Sequence, residues 1–331
     1  MYFMGIDISK EKIDCAIVQP DFKVVLEKVV KNKDNNIKSF IQAFLRKTRI
    51  DVSSLLICCE ATGIYNKPLE RVCSELGVAL WVEHALKIKR ASFDLRGKSD
   101  RQDAIRIADY CVRYQDRKVL IQRPSESVEE LNGACKARET LLTQKVALEN
   151  QLREAKSHDQ RLYDQLNSLY KTTLTAITKD LKKIELQIEV ILEKEHDMKT
   201  NVDLLKSIPG IGKQTAIQFV IYTNNFKNFC SAKHLACYSG VVPFTNESGT
   251  IIKKARISKM ANLKLKTLLH LAAMAAIRTK TDLKEYFIRK VKEGKNKMSV
   301  LNAVRNKLVH RIWAIIQRQT PYTKPEIILS N

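Results

Sequence analysis

The chain has 331 residues, 44% of them apolar, enough for two or three domains with real cores. It carries 58 Lys and Arg against 36 Asp and Glu, a net charge of +22. No apolar run reaches the length a membrane-spanning helix needs, so the charge points to a polyanion rather than a bilayer interior.

The excess is uneven. Residues 251–331 hold 19 basic and 4 acidic side chains, a net of +15. Such a field releases counterions when it meets a phosphate backbone, so nucleic acid is the expected partner. The first residues read as a strand, and no signal peptide is expected. Eight cysteines occur with no CxxC pair and no histidines at zinc spacing, so reduced, buried thiols in the cytoplasm are expected.

Residues 2–8, 13–18 and 23–30 read as three strands, short and β-branched with polar connections. A helix follows from Asp34 to about Arg46, with Ile37, Phe40, Ile41 and Phe44 at helical spacing. Leu55 to Cys59 is predicted to be a buried strand, Pro68 to Leu76 a helix, Val78 to Val82 a strand, and residues 99–113 a helix. Three consecutive strands followed by alternating helices and strands is the order of a ribonuclease-H-like (RuvC-like) domain, set at residues 1–124.

Residues 125–200 lack proline and repeat leucine at Leu131, Leu141, Leu148, Leu152, Leu162, Leu166 and Leu169, continued by Leu181, Ile184, Ile188 and Ile191. Two long helices are expected, breaking near residues 156–160 and forming a coiled-coil spacer. Residues 201–331 are expected to be a basic, mainly helical C-terminal domain, with a compact Pro209-Gly210-Ile211-Gly212 turn and a helical tail from about Asn262 to Arg318. The fold class is therefore α/β followed by all-α.

Four carboxylates stand out. Asp7 lies near the end of the first strand and Glu60 at the carboxyl end of a buried one, where α/β folds place functional groups. Asp100 and Asp103 follow Ser99 at a helix start, and a spacing of three puts both on one face. Taken singly, each has a plain reading: a solvated strand end, or an acid favoured by the helix dipole. Taken together, they form a set of hard oxygen donors for divalent cations, a pair of Mg²⁺ ions about 4 Å apart, as used in phosphoryl transfer. Asp14, Asp51, Asp94 and Asp109 lack that context.

These residues carry a resemblance. Gly5-Ile6-Asp7-Ile8-Ser9-Lys10, Glu60-Ala61-Thr62-Gly63-Ile64-Tyr65 and Lys98-Ser99-Asp100-Arg101-Gln102-Asp103-Ala104 resemble the transposases of the insertion-sequence 110 and 1111 group and the related Piv-type invertases. Leu205 to Ala216, Gly240-Val241-Val242-Pro243, Ser248-Gly249 and Ile257-Ser258-Lys259 resemble that group's C-terminal block. Ala261 and Lys266 stand where many members have glycine and arginine.

The resemblance implies that the Asp-Glu-Asp-Asp set is Asp7, Glu60, Asp100 and Asp103. It implies that a C-terminal serine, Ser248, is the nucleophile, with Ser239 in reserve and Ser258 behind it. It also implies that a structured bridge RNA guides the choice of donor and target DNA, and that dimers pair into tetramers. By residue chemistry alone, Ser248 before Gly249 reads as a turn residue.

Lys253, Lys254, Arg256 and Lys259 crowd the region after Ser248 and suit phosphate positioning. Gly210 and Gly212 fit either a phosphate-binding hairpin or a tight turn between packed helices. The sequence is thus read as a nucleoid-associated DNA transposase. The alternatives are a junction-resolving metal nuclease that uses water, and a nucleic-acid-binding protein with no catalysis.

Overall fold

The computed structural model describes residues 1–91, 99–121, 124–248, 251–257 and 261–323; within 243–257 only the backbone is described. The chain divides into two compact units, Met1–Arg123 and Pro124–Asn331. It is a mixed α/β protein, mostly helical, with one five-stranded sheet. Among the described residues no helix is long and apolar enough to cross a membrane.

The first unit runs β1 (Tyr2–Ile8), β2 (Lys12–Val18), β3 (Val24–Lys31), α1 (Asp34–Thr48), β4 (Leu55–Glu60), α2 (Lys67–Leu76), β5 (Ala79–Glu83), α3 (Ala85–Ala91) and α4 (Asp100–Arg113). The sheet order is β3-β2-β1-β4-β5. Neighbours among β1–β3 are antiparallel; β4 is parallel to β1, and β5 to β4. That is the arrangement expected of a ribonuclease-H-like sheet. Sequence spacing had placed every strand to within a residue or two; α3 was not foreseen.

Alternation along each strand builds two cores. Met4, Ile6, Ile13, Cys15, Ile57 and Cys59 face one side with Ile37, Ile41, Leu69 and Val72 of α1 and α2. Phe3, Ala16, Cys58 and Trp81 face the other with Ala104, Ile107, Ala108 and Cys111 of α4. Gly5 makes the second contact close. A Cβ there would lie 2.2 Å from both the Ala104 oxygen and the Ala108 nitrogen, so α4 rests directly on the β1 backbone.

The second unit begins with α5 (Glu126–His158) and α6 (Gln160–Lys194), an antiparallel hairpin turning at Asp159. Asp159 Oδ1 accepts from the Arg161 and Leu162 N–H groups at 2.9 and 3.2 Å and starts α6. The break lies where the sequence placed it, but the apolar seam is incomplete. Leu131 and Leu152 are buried, whereas Leu162 is exposed and Leu169 is 70% exposed, so the seam is not covered along its length.

Then come α7 (His196–Lys206), α8 (Lys213–Tyr222), α9 (Ala232–Tyr238), β6 (Pro243–Ser248), β7 (Ile251–Ile257), α10 (Leu263–Arg278), α11 (Asp282–Lys292) and α12 (Lys297–Arg318). The expected helical tail from about Asn262 to Arg318 is made of three helices. Thr279–Thr281 and Gly294 interrupt it, with Thr281 capping α11 and Asn296 capping α12. The β6–β7 ribbon was not foreseen. Six of the eight cysteines are buried thiols as expected; Cys230 is exposed, just before the cap of α9.

Candidate active site

The register puts four carboxylates in one row. Asp7 pairs with Asp14 across β1 and β2, and Glu60 pairs with Glu83 across β4 and β5. Ile6 pairs with Cys59, so Asp7 and Glu60, the next residues of two parallel strands, are also neighbours. Asp7 shares a face with Phe3 and Gly5, and Glu60 with Cys58, which is the α4 face. The row therefore runs Asp14, Asp7, Glu60, Glu83 beneath the helix that carries Asp100 and Asp103.

The contact at Gly5 sets the alignment. Ala104 and Ala108 sit over Gly5, so the first turn of α4 falls over Asp7, two residues further along β1. Ser99 starts that turn by accepting the Gln102 N–H at 3.3 Å. After Glu60 the buried Asn66 locks the chain: its Nδ2 donates to the Glu60 carbonyl at 2.8 Å, and its Oδ1 accepts the Thr62 N–H at 3.0 Å.

The outer members of the row are paired. Lys12 Nζ is 3.0 Å from Asp14 and 2.8 Å from Asp100. Glu83 accepts the His84 N–H at 2.8 Å, lies 3.0 Å from Lys87 Nζ and accepts the Tyr110 hydroxyl at 3.3 Å. Arg106 holds Asp103 at 2.8 Å.

Among the described residues the inner pair has no such cation. Burial pushes the Asp7 carboxyl above its usual range, as do the negative charges of Asp100, Asp103 and Asp14, against a small lowering by the Ile8 N–H. Burial, then Asp7 and Asp103, push Glu60 up likewise. Asp7 thus feels the charge of Asp100 and Asp103, and Glu60 that of Asp7 and Asp103. Even so, among the described residues no three acids, histidines or cysteines are gathered tightly enough to hold a metal as they stand. Lys12 pairs with Asp100 and Arg106 with Asp103 in this arrangement. The donor set still fits a hard divalent cation in kind: it offers only oxygen, half-buried, with two carboxylates short of positive charge.

Glu83 and Asp14 were missed as members of this row. Asp14 was set aside because it sits inside a strand, and the fifth strand was ended at Val82, one residue short of Glu83. Both are 7% exposed. A buried carboxylate in an apolar strand was the available signal.

In the second unit Ser248 is the last residue of β6 and pairs with Ile251, so it ends a ribbon rather than lying in a free loop. Lys253 and Arg256 are β7 positions opposite Asn246 and Phe244, Lys254 lies between them, and Lys259 falls outside the described residues. Ser239 is fully buried; Ser258, like Lys259, is outside the described residues. Gly210 has φ +92°, and a Cβ there would meet the Ala272 oxygen at 2.4 Å, so this turn is packed on α10. Gly212 is exposed at the start of α8.

Two family models match the chain. One, described as transposase of the IS116/IS110/IS902 family, covers residues 202–287; the other, a transposase model of the DEDD type of IS110, covers residues 4–155. The pilin gene-inverting protein of Moraxella lacunata is 25% identical over 97% of this chain and 98% of its own length. The transposase for insertion sequence element IS1111A of Coxiella burnetii is 28% identical over 96% of this chain and 90% of its own. Among solved structures, Thermus thermophilus RuvC in complex with a Holliday junction substrate matches 37% of this chain and 99% of that chain at 16% identity and a TM-score of 0.30.

Proposed function

The chain belongs to the IS110 family of transposases, a family of DNA recombinases, and from that premise we propose that it cuts and rejoins DNA strands during excision and insertion of a mobile element, with Asp7, Glu60, Asp100 and Asp103 as its metal ligands. The observation that carries this reading is the inner pair, Asp7 and Glu60: neighbours in register, half-buried, and without a cation. A fold leaves two repelling carboxylates together at a cost unless a ligand offsets it.

Divalent metal dependence follows from the family; Mg²⁺, as two ions, is our assignment. When bound, such ions stabilise negative charge on the oxygens of a phosphodiester under attack. The chain's own part is to present the four carboxylates, with Lys12 and Arg106 releasing Asp100 and Asp103 to the incoming cation. Ser248 is proposed as the nucleophile. Its Oγ bonds to phosphorus as the bridging P–O bond breaks, the serine proton leaves to a carboxylate or water, and the departing strand ends in a hydroxyl. Lys253, Lys254, Arg256 and Lys259 would position phosphates, and Gly212 would offer a backbone N–H. The close packing of Gly210 on α10 favours a structural turn there. DNA, as donor and target, is the substrate; a bridge RNA as guide, and assembly into dimers or tetramers through the exposed leucines of the α5–α6 hairpin, complete the proposal.

The test is recombination between donor and target plasmids in cells carrying the element's flanking DNA. Asp7→Ala and Ser248→Ala should both abolish recombination while nucleic-acid binding persists. Full activity of Ser248→Ala would remove the serine and leave water as the nucleophile. Full activity of Asp7→Ala would end the acidic-site reading altogether.

A further inference from the structure

Arg305 is the most isolated charge in the second unit. It lies in the middle of α12 and is 7% exposed. It has no ion pair and no hydrogen bond to any described residue, and burial alone lowers its pKa, with no carboxylate contributing. Its Nε is closed off from solvent without an acceptor; neither Nη is closed off in that way. A guanidinium keeps its charge at every ordinary pH. A fold that encloses one without a counter-charge leaves an unfavourable arrangement that an incoming anion would relieve.

The surroundings say where that anion would come from. Asn302, three residues before Arg305, lies on its side of the helix, and Asn306, four residues beyond Asn302, lies beside Asn302. The Oδ1 atoms of both asparagines are enclosed without a partner. Asn302 Nδ2 donates to the Val241 carbonyl at 2.9 Å, and Val241 lies two residues before the start of β6. Ser239, two residues before Val241, has its own Oγ enclosed and unpartnered. Four enclosed polar atoms without partners therefore belong to one neighbourhood, where α12 meets the base of the β6–β7 ribbon. Folded proteins satisfy nearly all such atoms, so a cluster of exceptions marks a place completed by something else.

We propose that Arg305 is a phosphate-binding residue, taking a backbone phosphodiester of bound nucleic acid where the strand passes the base of the β6–β7 ribbon. The planar fork suits two oxygens of one phosphate, with the open Nη groups reaching it first. The Asn306 amide could turn its NH₂ toward the same phosphate. The inference rests on nucleic acid being the partner, but on neither the acidic row nor Ser248.

The test measures binding and stability together on the full chain. Arg305→Met and Arg305→Lys are compared with the parent in titrations of a short mixed-sequence DNA duplex and of a single-stranded RNA of equal length, over a range of salt. Arg305→Met should bind about tenfold more weakly and lower the slope of log affinity against log salt by about one. It should also melt at or above the parent temperature, since an enclosed unpaired charge is gone. Arg305→Lys should retain the slope but not the full affinity. Loss confined to the duplex or to the RNA names the strand Arg305 holds.

Unchanged affinity and slope in Arg305→Met would overturn the proposal. So would a lower melting temperature in both variants together with a smaller assembly, because the guanidinium would then be paired with a carboxylate of a second copy. Asp7→Ala in the same titrations separates this inference from the catalytic one. If it loses recombination but keeps the parent slope, binding and chemistry are being read independently.

Discussion

The two units leave opposite charges uncompensated. In the first, Asp7 and Glu60 sit at the centre of a row of four carboxylates whose outer members already have lysines. In the second, Arg305 sits near unpartnered amide oxygens with no carboxylate among the described residues. Each unit could have placed the compensating charge internally, as Lys87 does for Glu83 and Arg311 does for Asp282. Under the two proposals the missing partner is chemically specific: a cation for the first unit and an anion for the second. A metal bound to one and a phosphate bound to the other would answer both.

The largest effect should come from the contact that builds the first site. Gly5→Ala drives a Cβ into the α4 backbone at 2.2 Å and should cost more than about 4 kcal/mol, enough to unfold that unit. Gly210→Ala places a Cβ 2.4 Å from a backbone oxygen at a φ of +92° and should damage the second unit in the same way. Thermal melts of the two variants would show whether the units fail separately; a single shared transition in both would mean that they do not.

Next in size is the inner pair. Asp7→Asn should lower strand transfer by at least about a thousandfold, yet raise the melting temperature of the metal-free protein, because it removes one of two repelling charges. A variant that is both inactive and less stable would mean that Asp7 is a structural residue.

Lys12 sharpens the comparison. Its ammonium bridges Asp14 and Asp100. Lys12→Met should lower the melting temperature in the presence of a chelator and bring on the stabilisation by added Mn²⁺ or Mg²⁺ at lower concentration. The bridge is half-exposed, so the loss without metal should be about 1 kcal/mol or less. An unchanged metal midpoint would show that Lys12 does not compete with the cation.

The smallest expected effect is in pH. Asp7 and Glu60 have folded-state pKa values raised above those of the unfolded chain. Their penalty is therefore present at neutral pH and fades as pH falls through those raised values. Asp282 behaves the other way. Burial alone would raise it, but hydrogen bonds from Arg311 and Tyr322 hold it below its usual value. Its contribution is present above the unfolded carboxylate range and is lost as pH falls through its lowered folded value. Mild acid should favour the metal-free first unit, stronger acid should cost the second, and Asp282→Asn should abolish only the latter trend.

What the sequence determined by itself was whatever local spacing encodes. Two-residue alternation fixed the strands, three- and four-residue spacing fixed the helices, and Ser99 marked a helix start because capping depends on near neighbours in the chain. Asp7, Glu60, Asp100 and Asp103 could be singled out as candidates because each stands near an element end. Tertiary structure decided the rest. Glu83 and Asp14 joined the row only through strand register, which joins residues 7 and 14, and 60 and 83, across separate strands. The hold of Lys12 on Asp100 spans 88 positions. The isolation of Arg305 came from helices packing around it. In a sequence Arg305 is one more basic residue in a basic tail, since the absence of a counter-charge belongs to the neighbourhood and not to the residue.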